Sequence, residues 1–568
     1  MQVKKTAGIA LVAATALVLG ACGGGTTDAK KSNSNELKAS DYDKVDPANL
    51  QDGGNLRLAL SAMPVNYNAM NVNGNTSDVA SRLYGFIAPI NWVYDAKGQA
   101  EPNKDYLLSA DAAGDGTDAS PFTVKLKLND KAKWNDGTPI TAADYKATWE
   151  ACNGEAHKDY ECTSTDGWTS IKDVKAGATP FDVEVDFKTA YPDWKSLVGG
   201  PMPAKGISNA KDFNEGWKTI DKARDLMTGP FKLKAIDDKA GVITLERNPN
   251  WWGSKPKLEN VTFKVLDAKA QGTAYANKEL DVVETITDAA TYETAKKRQD
   301  GTVRVSAGTQ WRHFTFNSRA DSLKDEAFRN AIIKGINTAK IAASDLAGLP
   351  SAKYDVALGN HFFMPNQAAY KDNSVKYDPK AAMADLEKLG YKKNGDFYEK
   401  DGKKAGFSFL SIPGVPASEN EAQLLKAQMK EIGVDVTVKT EPSATFFDKV
   451  IGGEFEATAF AWQGTPYPMA NVNQIYGKPF DDKGKLQNSN FTGLEVPEVD
   501  KLIPQIAKET DNAKRVDMTN EADKIIWSKG MVLPLYFRPL IQAQPKNLAN
   551  YGPTAFETML PENIGFTK

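Results

Sequence analysis

The residues best suited to catalysis or metal binding are few in this 568-residue chain. Its three histidines, His157, His313 and His361, lie far apart in sequence, whereas zinc motifs space their ligands closely. The chain has no H-E-x-x-H, no G-x-S-x-G nucleophile motif, no G-x-x-x-x-G-K-[ST] phosphate loop and no G-x-G-x-x-G. We therefore predict a protein that is not an enzyme, with no catalytic residue, no metal and no cofactor.

Cys22 ends a segment with the pattern of a secretory signal. Two lysines precede an apolar run over residues 7–19, which is shorter than the roughly 20 residues that a membrane-spanning helix needs. Residues 19–22 (LGAC) resemble a bacterial lipobox, in which the cysteine is diacylated and the chain is cut before it. We predict a lipoprotein signal peptide at residues 1–21, a palmitate-type anchor on Cys22 and a location on the extracytoplasmic face of the cell membrane. An ordinary signal peptide is the alternative.

The other two cysteines, Cys152 and Cys162, are close together in the sequence. Outside the cytoplasm such a pair usually forms a disulfide. A redox or metal-binding pair is the alternative, but the spacing is not C-x-x-C and only His157 is near. We predict a structural disulfide.

Composition and charge exclude several classes of protein. The formal net charge is −3 and charges of both signs are interspersed, so nothing indicates a nucleic-acid partner. No stretch beyond the signal is apolar and long enough to cross a membrane. The length predicts three or four folding units, and we expect a monomer.

Periodicity predicts a mixed α/β protein. Alternating apolar residues predict strands at residues 53–60 and 122–128, and a hairpin from residues 231–236 and 242–246. Thr141 is positioned to begin a helix, and residues 418–421 (SENE) have the form of a capping box for a helix that ends at Gly433. Further on, a strand (434–438), a helix (444–451) and a strand (455–462) form a βαβ unit, which predicts a partly parallel sheet.

Five strings then resemble one family, the peptide-type solute-binding proteins (family 5) of ABC importers, which includes oligopeptide, dipeptide, nickel and some oligosaccharide binders. They are WNDGTPITAAD at 134–144, GPFKL at 229–233, RNPNWWG at 247–253, FN at 316–317 and FRNAI at 328–332. The resemblance covers nearly the whole mature chain. We expect the strings to mark the fold, with Trp251 and Trp252 packed in a core rather than forming a sugar-stacking platform.

The resemblance implies a two-lobed α/β clamp, like a type II periplasmic binding protein with an extra inserted subdomain. The expected divisions are a flexible tether at 22–51, lobe I at 52–83, 201–307 and 525–568, the inserted subdomain at 84–200, and lobe II at 308–524.

The resemblance also implies which residues face the cleft between the lobes. They are Trp311, Arg312 and His313, at the entry to lobe II, and Trp462, Gln463, Gly464, Thr465 and Tyr467, after the βαβ unit. The aromatic residues would supply stacking walls, and Arg312 a partner for a carboxylate. Peptide-binding relatives usually carry an aspartate at the position of Thr465, which pairs with the peptide amino terminus. Three explanations of this difference stay open. Another acid binds the amine, Thr465 and backbone carbonyls bind it together, or the ligand has no free amine.

The function implied is a lipid-anchored receptor that delivers oligopeptides to the membrane permease of an ABC transporter. Within the same fold, the alternatives are an oligosaccharide binder or a receptor for a signalling peptide. A secreted hydrolase of the cell wall is the alternative from another class. The sequence does not separate nutrition from signalling, nor does it identify the ligand or the permease.

Overall fold

The computed structural model describes residues 36–154, 159–165 and 167–568. The predicted signal peptide, the lipidation site Cys22 and His157 lie outside these described residues. No helix in the described ranges combines the length and apolar character needed to cross a bilayer.

The strands, in chain order, are β1 (Asn55–Leu60), β2 (Trp92–Tyr94), β3 (Ala100–Pro102), β4 (Leu107–Ala113), β5 (Thr123–Leu128), β6 (Ile171–Ala176), β7 (Asp182–Phe187), β8 (Phe231–Asp237), β9 (Val242–Arg247), β10 (Asn260–Val265), β11 (Gly301–Ser306), β12 (Gln310–Phe316), β13 (Lys392–Asn394), β14 (Phe397–Lys400), β15 (Lys403–Lys404), β16 (Gly406–Ser411), β17 (Asp435–Thr440), β18 (Ala457–Gln463), β19 (Val532–Phe537), β20 (Leu540–Pro545), β21 (Leu548–Ala549) and β22 (Gly565–Phe566). The helices are α1 (Tyr84–Ile87), α2 (Ala142–Cys152), α3 (Ala210–Glu215), α4 (Ile220–Leu226), α5 (Ala268–Ala276), α6 (Ala289–Ala295), α7 (Glu326–Lys334), α8 (Thr338–Asp345), α9 (Pro379–Lys388), α10 (Pro416–Glu431), α11 (Ser443–Ile451), α12 (Asn471–Tyr476), α13 (Pro497–Lys508) and α14 (Asn512–Lys529).

Lobe I is built on a four-stranded sheet with the order β1-β10-β9-β8. Strand β1 is parallel to β10, and the other pairs are antiparallel, so the predicted hairpin of β8 and β9 is confirmed. Leu56 and Leu58 alternate with polar residues along β1 and are buried, as a half-buried strand requires. This alternation directs one face of the sheet into the core of lobe I.

The inserted subdomain has its own antiparallel sheet, β4-β5-β7-β6, and its own core. Val124, Leu126 and Leu128 of β5 point into that core. Helix α2 begins at the predicted cap, because Thr141 and Asp144 form a reciprocal capping box. Trp252 joins the subdomain to lobe I by donating from its indole nitrogen to the backbone oxygen of Asp105, 2.7 Å away. Trp251 and Trp252 therefore pack in a core, as we expected.

Lobe II contains a five-stranded sheet with the order β17-β16-β18-β12-β19. Strands β17 and β18 both run parallel to β16, with α10 and α11 as the crossovers, so the predicted partly parallel sheet is confirmed. The assignment of β19 to lobe I was wrong, because β19 pairs antiparallel with β12. All six residues of β19 are buried, which is typical of a strand covered on both faces and says nothing about which sheet it joins. Lobe II therefore extends past residue 524 to the end of β19.

The predicted tether ends earlier than residue 51. Asp41 donates its backbone N–H to the oxygen of Pro553 (3.0 Å), Ala555 donates to the oxygen of Ala39 (2.8 Å), and Leu50 is buried. Composition suggested a solvated segment, but the backbone of residues 37–50 pairs with the C-terminal segment. These backbone hydrogen bonds do not depend on side-chain type, so the polar composition concealed them.

The chain crosses between the lobes at two adjacent points, after β11 and after β19. A Cβ atom on Gly308 would lie 2.1 Å from the backbone oxygen of Arg538, so only glycine allows the two segments to approach this closely. Arg538 also donates its backbone N–H to the oxygen of Gln310, at 2.7 Å. The two crossing segments are thus held together by their main chains.

Away from the crossings, lobe II contacts the inserted subdomain through a buried ion pair. Arg515 of α14 makes a bidentate contact with Asp193, with one N–O distance of 2.7 Å, and the side chains are only 4% and 6% exposed. Asn366 adds a hydrogen bond of 2.8 Å to the backbone oxygen of Ala96. Lobe II is therefore joined to the inserted subdomain at a place separate from the two crossings.

Replacing Arg515 with methionine should lower the free energy of unfolding by about 3–5 kcal/mol, because Asp193 would stay buried without its partner. Urea denaturation of the full chain measures the change. The matched control is Lys514→Met, since the neighbouring Lys514 side chain is 70% exposed and should contribute less than about 1 kcal/mol. Equal stability of both variants would show that the pair contributes nothing to the fold.

The structure joins Cys152 and Cys162 in a disulfide, with 5.5 Å between the Cα atoms and a separation of 10 residues. Closing so small a loop stabilises the fold by about 2–3 kcal/mol. The double variant Cys152→Ser/Cys162→Ser should lose this amount in denaturant titrations, and reductant should no longer change its stability. Two titratable thiols in the unreduced protein would contradict the pairing.

Candidate functional site

The predicted cleft loop leaves β18 in the middle of the lobe II sheet. Trp462 is half-buried at the end of this strand, opposite Trp311 of β12. Its ring stacks on Phe491 with 6.1 Å between centroids and 6° between planes. The loop therefore begins from a fixed aromatic side chain on a central strand.

Short contacts hold the rest of the loop against lobe II. Gly464 donates its backbone N–H to the oxygen of Thr309 at 2.7 Å, and a Cβ at this position would lie 2.8 Å from Met364. Gln463 is exposed, and its amide donates to the hydroxyl of Thr309. Thr465 accepts hydrogen bonds at both oxygens: from Gln367 at the backbone (3.3 Å) and from the N–H of Tyr467 at the hydroxyl (3.2 Å). The loop is thus a rigid surface with little freedom to rearrange.

Tyr467 connects the loop to the inserted subdomain. Its hydroxyl lies 3.1 Å from that of Tyr94, and the rings meet edge to face at 6.2 Å. Burial, with the neighbouring Tyr94 and the Asp193 carboxylate, raises the pKa of Tyr467, so its phenol is protonated at neutral pH. We call this contact between Tyr94 and Tyr467 the seam.

The three predicted residues of β12 lie inside lobe II. Trp311 is 3% exposed and His313 is fully buried, with its ring 4.4 Å from that of Phe460 and 5.9 Å from that of Trp462. Burial lowers the pKa of His313 well below its ordinary value, so the ring is neutral. The structure therefore places Trp311 and His313 behind the loop rather than on an open surface.

Arg312 faces the opposite side of the sheet and already has a carboxylate partner. Its Nε donates to Glu421 Oε1 at 2.7 Å, a second bond joins Nη2 to Oε2, and Glu421 is fully buried. Glu421 was assigned to a capping box, but α10 begins earlier, at Pro416, and the carboxylate serves this ion pair instead. Burial and the Glu421 charge raise the pKa of nearby Asp345 to about 7. A ligand carboxylate would therefore have to compete with Glu421 for Arg312.

A cavity of about 930 Å³ lies on the lobe I side of the seam. Its wall combines lobe I, the inserted subdomain and the C-terminal segment, and Tyr94 belongs both to this wall and to the seam. None of the eight predicted ligand-binding residues lines it. The cavity thus reaches the predicted loop at Tyr94 without including it.

Sequence reasoning missed the cavity residues, because they come from many separate segments and share no motif. The three charged residues among the described residues of the wall are Arg82, Glu284 and Glu557. None of them stands in a recognisable pattern, so no signal along the chain could have found them. The predicted loop was named only because the resemblance to the family implied it.

Comparisons with known proteins agree with this architecture. Residues 111–483 match the family described as bacterial extracellular solute-binding proteins, family 5 Middle. The oligopeptide-binding protein OppA of Mycobacterium tuberculosis (strain H37Rv) is 33% identical, in an alignment that covers 97% of this chain and 92% of OppA.

Two solved structures share the fold. A periplasmic EDTA-binding protein, EppA, superposes with a TM-score of 0.81 at 22% identity and covers 94% of this chain and 100% of its own. The oligopeptide-binding protein AppA of Bacillus subtilis, solved with a nonapeptide, has a TM-score of 0.70 at 20% identity, covering 91% of this chain and 100% of AppA. At this identity they establish the two-lobed fold alone. The family match and the 33% identical mycobacterial relative show that this chain belongs to family 5 of the bacterial extracellular solute-binding proteins.

Proposed function

We propose that this protein captures oligopeptides between its lobes and delivers them to the permease of an ABC transporter. The observation that carries the proposal is the cavity of about 930 Å³ that meets the lobe II loop at Tyr94. Ligand sites range over roughly 300–1,000 Å³, so this volume suits an extended organic solute rather than a bare ion. The 33% identical relative is named an oligopeptide-binding protein, which supports peptides as the ligand class.

The peptide would lie along the loop as an added strand, with its side chains directed into the cavity. Bridging waters would adapt the remaining space to different sequences. Trp462 and Tyr467 would provide aromatic surface, and Gln463 and Gly464 would border the peptide main chain. Strand β12, which contains Trp311, Arg312 and His313, would not line the site. It would hold in place the neighbouring strand β18, which carries Trp462.

Thr465 is a poor partner for a peptide amine. Its hydroxyl oxygen and its backbone oxygen each accept a hydrogen bond already. Each oxygen keeps a second lone pair, but a hydroxyl and a carbonyl are neutral, so neither offers an ammonium group the charge-assisted hydrogen bond that a carboxylate would. The amine, if the ligand has one, would be held elsewhere.

Ligand binding would favour arrangements in which lobe II and the inserted subdomain meet. A ligand shifts the balance between open and closed forms only as far as it binds the closed form better. The seam and the Arg515–Asp193 pair supply contacts that exist only when lobe II and the inserted subdomain meet. A micromolar dissociation constant corresponds to about −8 kcal/mol, which is sufficient for capture and still permits release.

The chain would act as a monomer, anchored to the extracytoplasmic face of the cell membrane through acyl chains on Cys22. One acyl chain gives only marginal membrane binding, whereas two signals anchor a protein stably. Anchoring would keep the receptor near its permease, and residues 23–36 would connect the anchor to the folded body.

Peptides should raise the melting temperature of the purified protein. A ligand at 100 times its dissociation constant stabilises the native state by about 2.7 kcal/mol. A mixture of peptides is compared with a mixture of oligosaccharides, and Gly464→Val, which would clash with Met364, is the variant expected to weaken the peptide effect. Stabilisation by sugars alone would exclude the peptide assignment, and release of products from cell-wall material would indicate a hydrolase.

Palmitate labelling of cells that express the full chain should mark the wild type and not Cys22→Ser. Wild-type protein should partition into the detergent phase, and the variant should be recovered in the aqueous phase, because it lacks the acyl chains. The double variant Cys152→Ser/Cys162→Ser serves as the control for loss of cysteine without loss of the anchor, because it leaves no new free thiol. An unlabelled wild type would exclude the anchor and leave the ligand assignment untouched.

A further inference from the structure

The three charged residues of the cavity wall already have partners within the protein. Arg82 donates from Nη1 to the backbone oxygen of Ala59 (2.9 Å) and to Asp78 (3.1 Å), and its Nε lies 3.0 Å from Glu284. Glu284 also accepts a hydrogen bond from the hydroxyl of Tyr551. This network holds one positive and two negative charges, so it leaves a surplus negative charge on one side of the cavity.

The third charge, Glu557, is neutralised from outside the cavity. Its Oε1 accepts from the Tyr42 hydroxyl at 2.8 Å and from Lys44 at 2.6 Å, both on the N-terminal segment that packs along residues 553–557. Its Oε2 is shielded from solvent and so is not open to a ligand. Lys44 balances the charge of Glu557, and the unbalanced charge of the wall is the surplus negative charge beside Arg82.

The rest of the wall is rich in flexible and aromatic apolar side chains. Met70, Met202, Met227 and Met559 line it, which is four of the 12 methionines in the chain. Phe86, Trp168, Leu540 and Phe556 extend the apolar surface. Methionine is unbranched and polarisable, so such a surface adapts to apolar groups of different shape.

A negatively charged ligand side chain would lose its hydration in this cavity and find no unpaired cation, and a positively charged one would find only the surplus charge of the Arg82 network. An apolar side chain would lose nothing and would bury its surface. We propose that the cavity is a side-chain compartment that takes bulky apolar residues of the ligand, so that the protein selects peptides containing leucine, methionine or phenylalanine. This inference rests on the proposed peptide-binding function and adds the class of peptide.

Calorimetry with matched pentapeptides tests the selection. The probes are Gly-Gly-X-Gly-Gly with leucine, methionine, phenylalanine, serine, glutamate or lysine at X, titrated into the mature protein. We expect the three apolar peptides to bind at least tenfold more tightly than the serine and glutamate peptides. Equal affinities would overturn the inference and leave peptide binding intact, whereas no binding by any probe would overturn both. Tightest binding of the lysine peptide would also overturn it and would point to the surplus negative charge beside Arg82 as a cation site.

Variants at the half-buried methionines of the wall identify the compartment. Met559→Lys and Met70→Lys should weaken binding of the leucine peptide about tenfold and leave the serine peptide unchanged, and Met559→Leu should keep the preference. Met559→Gln, which adds no charge, replaces any lysine variant that fails to fold. Met383→Lys, at a half-buried methionine of α9 in lobe II, is the matched control. Loss of preference in the control alone would place the compartment elsewhere.

Discussion

The close contact between the two crossing segments is the constraint on which the rest of this structure depends. Gly308 leaves no space between its backbone and that of Arg538, and a hydrogen bond from Arg538 to Gln310 joins the segments directly. Both passages between the lobes are therefore held at one place, and the seam joins lobe II to the inserted subdomain at another.

Guanidinium groups in and near the candidate site are paired within the protein. Three ion pairs each place a guanidinium against a carboxylate in partly or fully buried surroundings: Arg312 with Glu421, Arg82 with Glu284, and Arg515 with Asp193. A buried charge without a partner is strongly destabilising, so each pair is stable only as a pair. The guanidinium groups that sequence comparison would offer to a ligand are thereby occupied.

The position of Thr465 shows how a family fold tolerates a changed site. The threonine keeps the loop in shape through two accepted hydrogen bonds, while the glycine before it allows close packing against Met364. The loop geometry is thus maintained by local contacts that need no carboxylate. Recognition can then depend on the opposite wall, where the cavity lies.

The sequence alone determined the features that neighbouring residues control: the alternation of β5, the hairpin of β8 and β9, the Thr141 cap, the partly parallel sheet of lobe II and the family. Tertiary structure decided what depends on distant residues. Glu421 lies 109 residues from Arg312, β19 joins a sheet from across the chain, and the cavity wall collects residues from many segments. Local patterns report propensity and burial, whereas pairing between distant segments depends on how the whole chain packs.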